Sequence, residues 1–120
     1  MRKTARMVTT AASVVALLGS LALAPVSMTV AASAVEKGKK LSFNKKKGNC
    51  LACHQIKGGK LAGNIGPPLI GMKRLTKKQL RAQIWDATAK NPNTTMPPFG
   101  KHKILSEKDI DLIVEFVHTL

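Results

Sequence analysis

The chain has 120 residues, of which 20 are Lys or Arg and only 6 are Asp or Glu, with two cysteines and a formal net charge of +14. These numbers exclude a large enzyme and leave one small basic domain, less whatever is removed for targeting.

Arg2, Lys3 and Arg6 are followed by no charged residue until Glu36, and an apolar stretch from Val8 to Val26 ends in the small residues Ala32-Ser33-Ala34. A basic segment, an apolar segment and an A-x-A site, in that order, predict a secretory signal peptide over residues 1–34 and a mature domain over 35–120. A retained membrane anchor is the alternative, because the uncharged run is long enough to span, but Gly19, Pro25 and several Ser and Thr dilute it. Removing 34 residues and 3 of the 20 basic side chains leaves 86 residues with 17 bases against 6 acids, a net charge of +11. A domain of that size buries only a little over ~60 % of its unfolded surface. With one Trp, three Phe and no Tyr, aromatic side chains cannot supply a rich core, and a non-protein group is expected to help fill it.

Residues 36–46 contain no proline, several good helix formers and the apolar pair Leu41 and Phe43, which predicts a first helix. Gly48-Asn49 suits a stop and a turn. Five glycines and two prolines between Gly58 and Gly71 disfavour helix interior and central strand alike, so that segment is read as an ordered loop. Thr76 followed by Gln79 is a capping-box pattern, and Leu80, Ile84 and Ala87 or Thr88 share a helical face behind it, predicting a second helix over 77–89. Asn91-Pro92-Asn93 ends it, and residues 94–100 are irregular because Pro97 and Pro98 lack backbone donors. Ser106, with Asp109 at N3 and Glu107 in the first turn, opens a third helix whose stripe is Ile110, Ile113, Val114 and Val117, flanked by Phe116. There is no repeat and no alternating strand pattern, so the fold class is all-α.

Cys50-Leu51-Ala52-Cys53-His54 is C-x-x-C-H, the attachment signature of c-type haem. Cysteines three apart on one turn reach two vinyl groups on one porphyrin edge, and the next residue aims its imidazole beneath the ring centre. Three rival readings are weaker. A thiol–disulfide oxidoreductase needs a βαβ frame that is absent; a zinc site needs two more ligands in a suitable arrangement; and a disulfide here closes too short a loop to constrain the unfolded chain much. The candidates for a sixth iron ligand are Met72, Met96, His102 and His118. Met96 is favoured because Pro97 and Pro98 pin the backbone beside it. The Pro67 carbonyl is a candidate acceptor for the second ring N–H of His54, against the plain alternative of a stiffened loop. Trp85 is expected to pack in the core, with a haem propionate as one acceptor for its N–H. His102 and His118 are otherwise read as surface or structural.

The order of an N-terminal helix, C-x-x-C-H, a G-P-x-L loop, a methionine loop and a C-terminal helix resembles class I cytochrome c along the whole mature chain. Within that class GNCLACHQI, GNIGPPLIGMK and LRAQIWDATAKNPNTTMPPFGKHKILSEKDID resemble the SoxX family, small monohaem subunits of thiosulfate-oxidising cytochrome complexes. The resemblance implies one covalent haem c, thioether attachment at Cys50 and Cys53, proximal ligation by His54, the Pro67 carbonyl as its acceptor, and distal ligation by Met96. It implies that Phe43, Phe116 and Gly38 pack where the terminal helices cross. It implies as partners a larger cytochrome subunit, SoxA, a carrier protein, SoxYZ, as substrate of the complex, and an acceptor cytochrome c in the periplasm.

On that reading the chain is the electron-transfer subunit of an L-cysteine S-thiosulfotransferase complex and is not catalytic alone: two thioethers leave no free thiol, and Met96 leaves no open iron site. A stand-alone electron shuttle is the alternative, and a dithiol oxidoreductase a remote one. Two basic clusters, Lys45, Lys46, Lys47, Lys57 and Lys60, then Lys73, Arg74, Lys77, Lys78 and Arg81, are mostly solvated surface, with steering of acidic partners as a functional role. Nucleic acid is a poor partner, because no aromatic residues interleave the charge.

Overall fold

The structure, a computed structural model, describes residues 26–120. Residues 1–25, which hold the basic part and most of the apolar part of the expected leader, lie outside the described residues. The first helix, α1, runs over Val26–Phe43, starting earlier than the 36–46 prediction because the small residues before Glu36 continue a helix without interruption. It also stops sooner. The Asn44 carbonyl accepts the amides of Lys47 and Asn49 at 3.0 and 3.1 Å, and its side chain accepts from the Lys46 amide at 2.8 Å. The chain therefore turns at Asn44, four residues before Gly48. Val30 to Ser33 are exposed, and inward packing starts at Ala34 and Val35.

The second helix, α2, spans Lys77–Trp85 and carries the expected capping box: the Thr76 hydroxyl accepts from the Gln79 amide, and the Gln79 side chain accepts from the Thr76 amide at 2.8 Å. It ends at Asp86, short of the predicted Ala89. Asp86 is extended, and its carboxylate caps a separate 3₁₀ turn over Ala87–Ala89; a short carboxylate that can bond nearby amides competes with helix continuation. Leu80 and Ile84 are buried as the stripe requires, and of the two residues that could extend it Ala87 is buried and Thr88 only half-buried. The third helix, α3, spans Glu107–Val117, with the Ser106 hydroxyl accepting from the Asp109 amide at 3.1 Å. Phe116 is as buried as the stripe residues, because α3 is covered on one side by α1 and on another by α2. Among the described residues there is no strand, and no helix is long and apolar enough to cross a membrane.

The α1–α3 crossing brings backbone against backbone. A Cβ on Gly38 would lie 1.9 Å from the Leu112 carbonyl oxygen, so only glycine permits this approach. Beside it the Phe43 and Phe116 rings meet edge to face at 5.9 Å, an arrangement worth about 0.5–1.5 kcal/mol beyond area burial. Ser42 is fully buried there, and its hydroxyl donates to the Gly38 carbonyl at 2.8 Å.

Exposed ion pairs join α2 to α3: Lys77 with Glu115 at 2.7 Å, and Arg81 with Asp111 at 2.7 Å and Glu107 at 2.8 Å. Such pairs contribute at most about 1 kcal/mol each. Their main consequence is electrostatic, since two of the five cations in the second basic cluster are neutralised and Lys73, Arg74 and Lys78 remain outside these pairs. A further pair, Lys101 with Asp86 at 2.9 Å, anchors the turn after α2. The Thr88 hydroxyl and the Lys101 ammonium hold the Asp86 carboxyl down from 3.8 to about 2. A folded value below the unfolded one gives stability that is complete above about pH 4 and is lost as pH falls toward the folded value. Asp86→Asn is expected to flatten the acid dependence of the unfolding midpoint between pH 4 and pH 2; an unchanged slope would assign that dependence to other carboxylates.

Candidate functional site

Asn49 adopts a left-handed conformation, φ 44°, and delivers the chain into a single 3₁₀ turn over Cys50–Ala52. The Cys53 and His54 amides both reach the Cys50 carbonyl, at 3.2 and 2.9 Å. One tight turn thus sets both sulfurs and the imidazole along the same cavity wall. Cys50 and Cys53 are not joined to each other in a disulfide. Burial pushes the Cys50 thiol above its ordinary value, offset in part by hydrogen bonding with Ser42. The zinc reading lacks its further ligands, because among the described residues no group of three His, Cys, Asp or Glu side chains is placed to hold a metal ion between them.

The glycine-rich loop over 58–71 has no regular structure, and it docks onto the attachment turn through its backbone. Gly63 donates to the Leu51 carbonyl at 2.8 Å, Gly66 to Cys53 at 2.8 Å and Leu69 to Gln55 at 2.9 Å. This brings His54 Nδ1 to 2.7 Å from the Pro67 carbonyl oxygen. A carbonyl only accepts, so Nδ1 donates this bond, and in the neutral ring the lone pair is then on Nε2. A Cβ on Gly66 would come within 2.5 Å of the imidazole Cε1; the ring lies flat against bare backbone, and any side chain there would displace it. Gly66 was missed as a site residue in the sequence, where its only signal was its place beside Pro67.

The cavity that these residues wall has a volume of about 370 Å³. Leu69, Leu75, Leu80, Ile84, Phe99, Leu105, Ile113 and Val117 form its apolar lining, with contributions from the loop, α2 and α3. Of the four candidates for a second axial ligand, Met72 and Met96 line it, and His102 and His118 do not. Met72 is also part of the buried core, and its amide donates to the Leu120 carbonyl at 2.7 Å. Met96 lies in the irregular 94–100 segment, its amide donating to the Thr94 hydroxyl at 3.2 Å. Trp85 is not on the cavity wall: its ring packs against Gly100, and the Arg81 guanidinium lies 5.4 Å from the ring centroid. Trp85 is half-buried against the hydrophobic core, as expected. Arg74, read in the sequence only as surface charge, is instead the one Lys or Arg on the wall among the described residues, and it donates to the Ile70 and Gly71 carbonyls at 2.8 and 2.9 Å.

Protein interiors rarely leave voids larger than a water, so these walls are shaped for a resident group. The donor set fits haem c: two thiols for the vinyl carbons, an imidazole whose Nε2 could bind iron, apolar walls for the macrocycle, and in Arg74 one cation on the wall that could pair with its carboxylates.

Comparison with known proteins agrees with this chemistry. Residues 33–117 match the family model described as "Cytochrome C oxidase, cbb3-type, subunit III". The fold is similar to a chain in the crystal structure of SoxXA from P. pantotrophus, with a TM-score of 0.64 and 30 % identity over 70 % of this chain and 79 % of that one. A curated protein of Aquifex aeolicus (strain VF5) named "Uncharacterized lipoprotein" is 40 % identical over 76 residues, 61 % of this chain. The chain spans 37 % of the length of that relative. The molecule is therefore a class I c-type cytochrome that binds haem c covalently and carries electrons. Within that class, the chain belongs to the cytochrome domain family described for the cbb3-type oxidase subunit III.

Proposed function

We infer that the protein is a periplasmic one-electron carrier and the small cytochrome subunit of a SoxXA-type complex, one that oxidatively couples thiosulfate to a carrier-protein cysteine. The observation that carries this reading is the joint identity and fold likeness to a SoxXA chain. In this assignment Cys50 and Cys53 form the thioethers, His54 Nε2 and the Met96 thioether bind iron, and the Pro67 carbonyl fixes the imidazole. Haem so held supplies reversible one-electron exchange, with thioether ligation favouring the ferrous form. The chain's own residues exclude other chemistry. Both sulfurs are consumed by attachment, Met96 closes the remaining iron position, and no further cysteine exists in the sequence to accept a sulfur group. Sulfur handling then belongs to a larger cytochrome subunit of the SoxA type, the carrier would be of the SoxYZ type, and electrons leave to an acceptor cytochrome c.

Export with cleavage after Ala34 is part of the same reading. It is supported by the exposure of Val30 to Ser33 and by packing that starts at Ala34 and Val35. The test is co-expression with the larger cytochrome subunit in a host competent for cytochrome maturation. A coloured heterodimer whose haem band survives acid-acetone extraction, and whose thiosulfate-coupling turnover is lost when this chain is omitted, is the expected result. Full turnover by the larger subunit alone would overturn the assignment and favour a stand-alone shuttle.

A further inference from the structure

We propose that the tip of the 58–71 loop, centred on Leu61, is the docking surface for the larger cytochrome subunit, meeting an apolar patch on it ringed by acidic side chains; this rests on the function proposed above. Leu61 is unfavourable in the isolated chain on two counts. Its backbone is left-handed, φ 54°, a conformation that costs any residue with a Cβ and costs glycine nothing. Its side chain is also completely exposed, at 103 %, so no packing within the chain offsets that cost. Backbone strain of this kind persists at functional sites.

Two neighbours extend the surface. Ile70 is 66 % exposed and, like Leu61, is not among the residues that line the cavity. Ile65, 67 % exposed, stands at the cavity wall itself. The charge around them has one sign. Lys57, Lys60, Lys73 and Arg74 are exposed on and beside the loop, and the sequence has no acid between Glu36 and Asp86. An apolar centre with a cationic rim selects an acid-rimmed apolar partner and disfavours a second copy of this basic chain. The loop is also coupled to the redox site, since the same segment bonds Leu51 and Cys53 through Gly63 and Gly66 and reaches His54 through Pro67. A partner seated on it therefore lies against the histidine side of the haem.

The experiment compares the wild-type holoprotein with Leu61→Gly and Lys60→Glu in binding to the purified larger subunit by titration calorimetry and stopped flow, alongside thermal melts and sedimentation. Leu61→Gly is expected to weaken binding tenfold or more while the melting temperature stays level or rises, because glycine relieves the backbone. Lys60→Glu is expected to slow association severalfold at low salt, with the difference vanishing at high salt. Unchanged affinity for Leu61→Gly, a melting temperature that falls with the affinity, or self-association of the wild type that Leu61→Gly abolishes would overturn the docking surface and leave the function standing. Failure of the wild type to bind the larger subunit at all would remove the function and this surface together.

Discussion

Met96→His is expected to lower the midpoint potential of the holoprotein by on the order of 100 mV or more, a fraction of the ~0.8 V span that axial ligands command, with covalent attachment intact. The direction follows from ligand softness: a thioether stabilises Fe(II) relative to Fe(III), and imidazole stabilises the ferric state better. In the proposed assignment the thioethers form at Cys50 and Cys53 beside His54, and Met96 takes no part in them, so attachment is expected to survive the change. A spectroelectrochemical titration checks this, read together with loss of the long-wavelength methionine–iron charge-transfer band. Met72 is the control. It also lines the cavity but belongs to the buried core, so Met72→Leu should leave the potential close to wild type. A potential that follows Met72 instead would exchange the two assignments.

Gly38→Ala is expected to destabilise the holoprotein by about 1–3 kcal/mol, the usual cost of forcing a methyl into a filled contact. The obstacle is the Leu112 carbonyl oxygen at 1.9 Å and the adjoining Phe116 Cβ at 3.0 Å. Backbone cannot rotate away as the end of a side chain can, so α1 must lift off α3. That movement would also part the Phe43–Phe116 ring pair. Guanidinium unfolding followed by the haem band and by helix signal measures it, and the two probes should shift together. A midpoint equal to wild type would mean that the helix crossing is looser than the glycine contact implies.

Features set by neighbours along the chain were legible in the sequence. The caps at Thr76 and Ser106 need only a hydroxyl and an amide three residues on, and both formed as read. The C-x-x-C-H turn and the stripe of α3 are likewise local patterns, repeated at the period of one helical turn. The ends of α1 and α2 were misplaced because side chains at Asn44 and Asp86 compete with the helix for backbone amides, a contest whose outcome depends on where those amides lie. The second basic cluster was overcounted for a related reason. Lys77 and Arg81 meet their acids only because α2 lies beside α3, across separations of 26 to 38 residues.

What the sequence determined by itself was the chemistry on offer: two thiols and an imidazole on one turn, methionines as soft donors, too few aromatic residues to close a core, and helices as the means of building one. The tertiary structure decided which of those groups share a space. It put Met72 and Met96 on the cavity wall and left His102, His118 and Trp85 off it, set the Pro67 carbonyl against Nδ1 of His54, and placed the exposed Arg74 at the cavity as well as on the surface. Residue identity fixes what a group can bind and at what energetic cost. Convergence of groups far apart in the chain depends on how helices cross and loops fold back, and those follow from packing that no single segment contains.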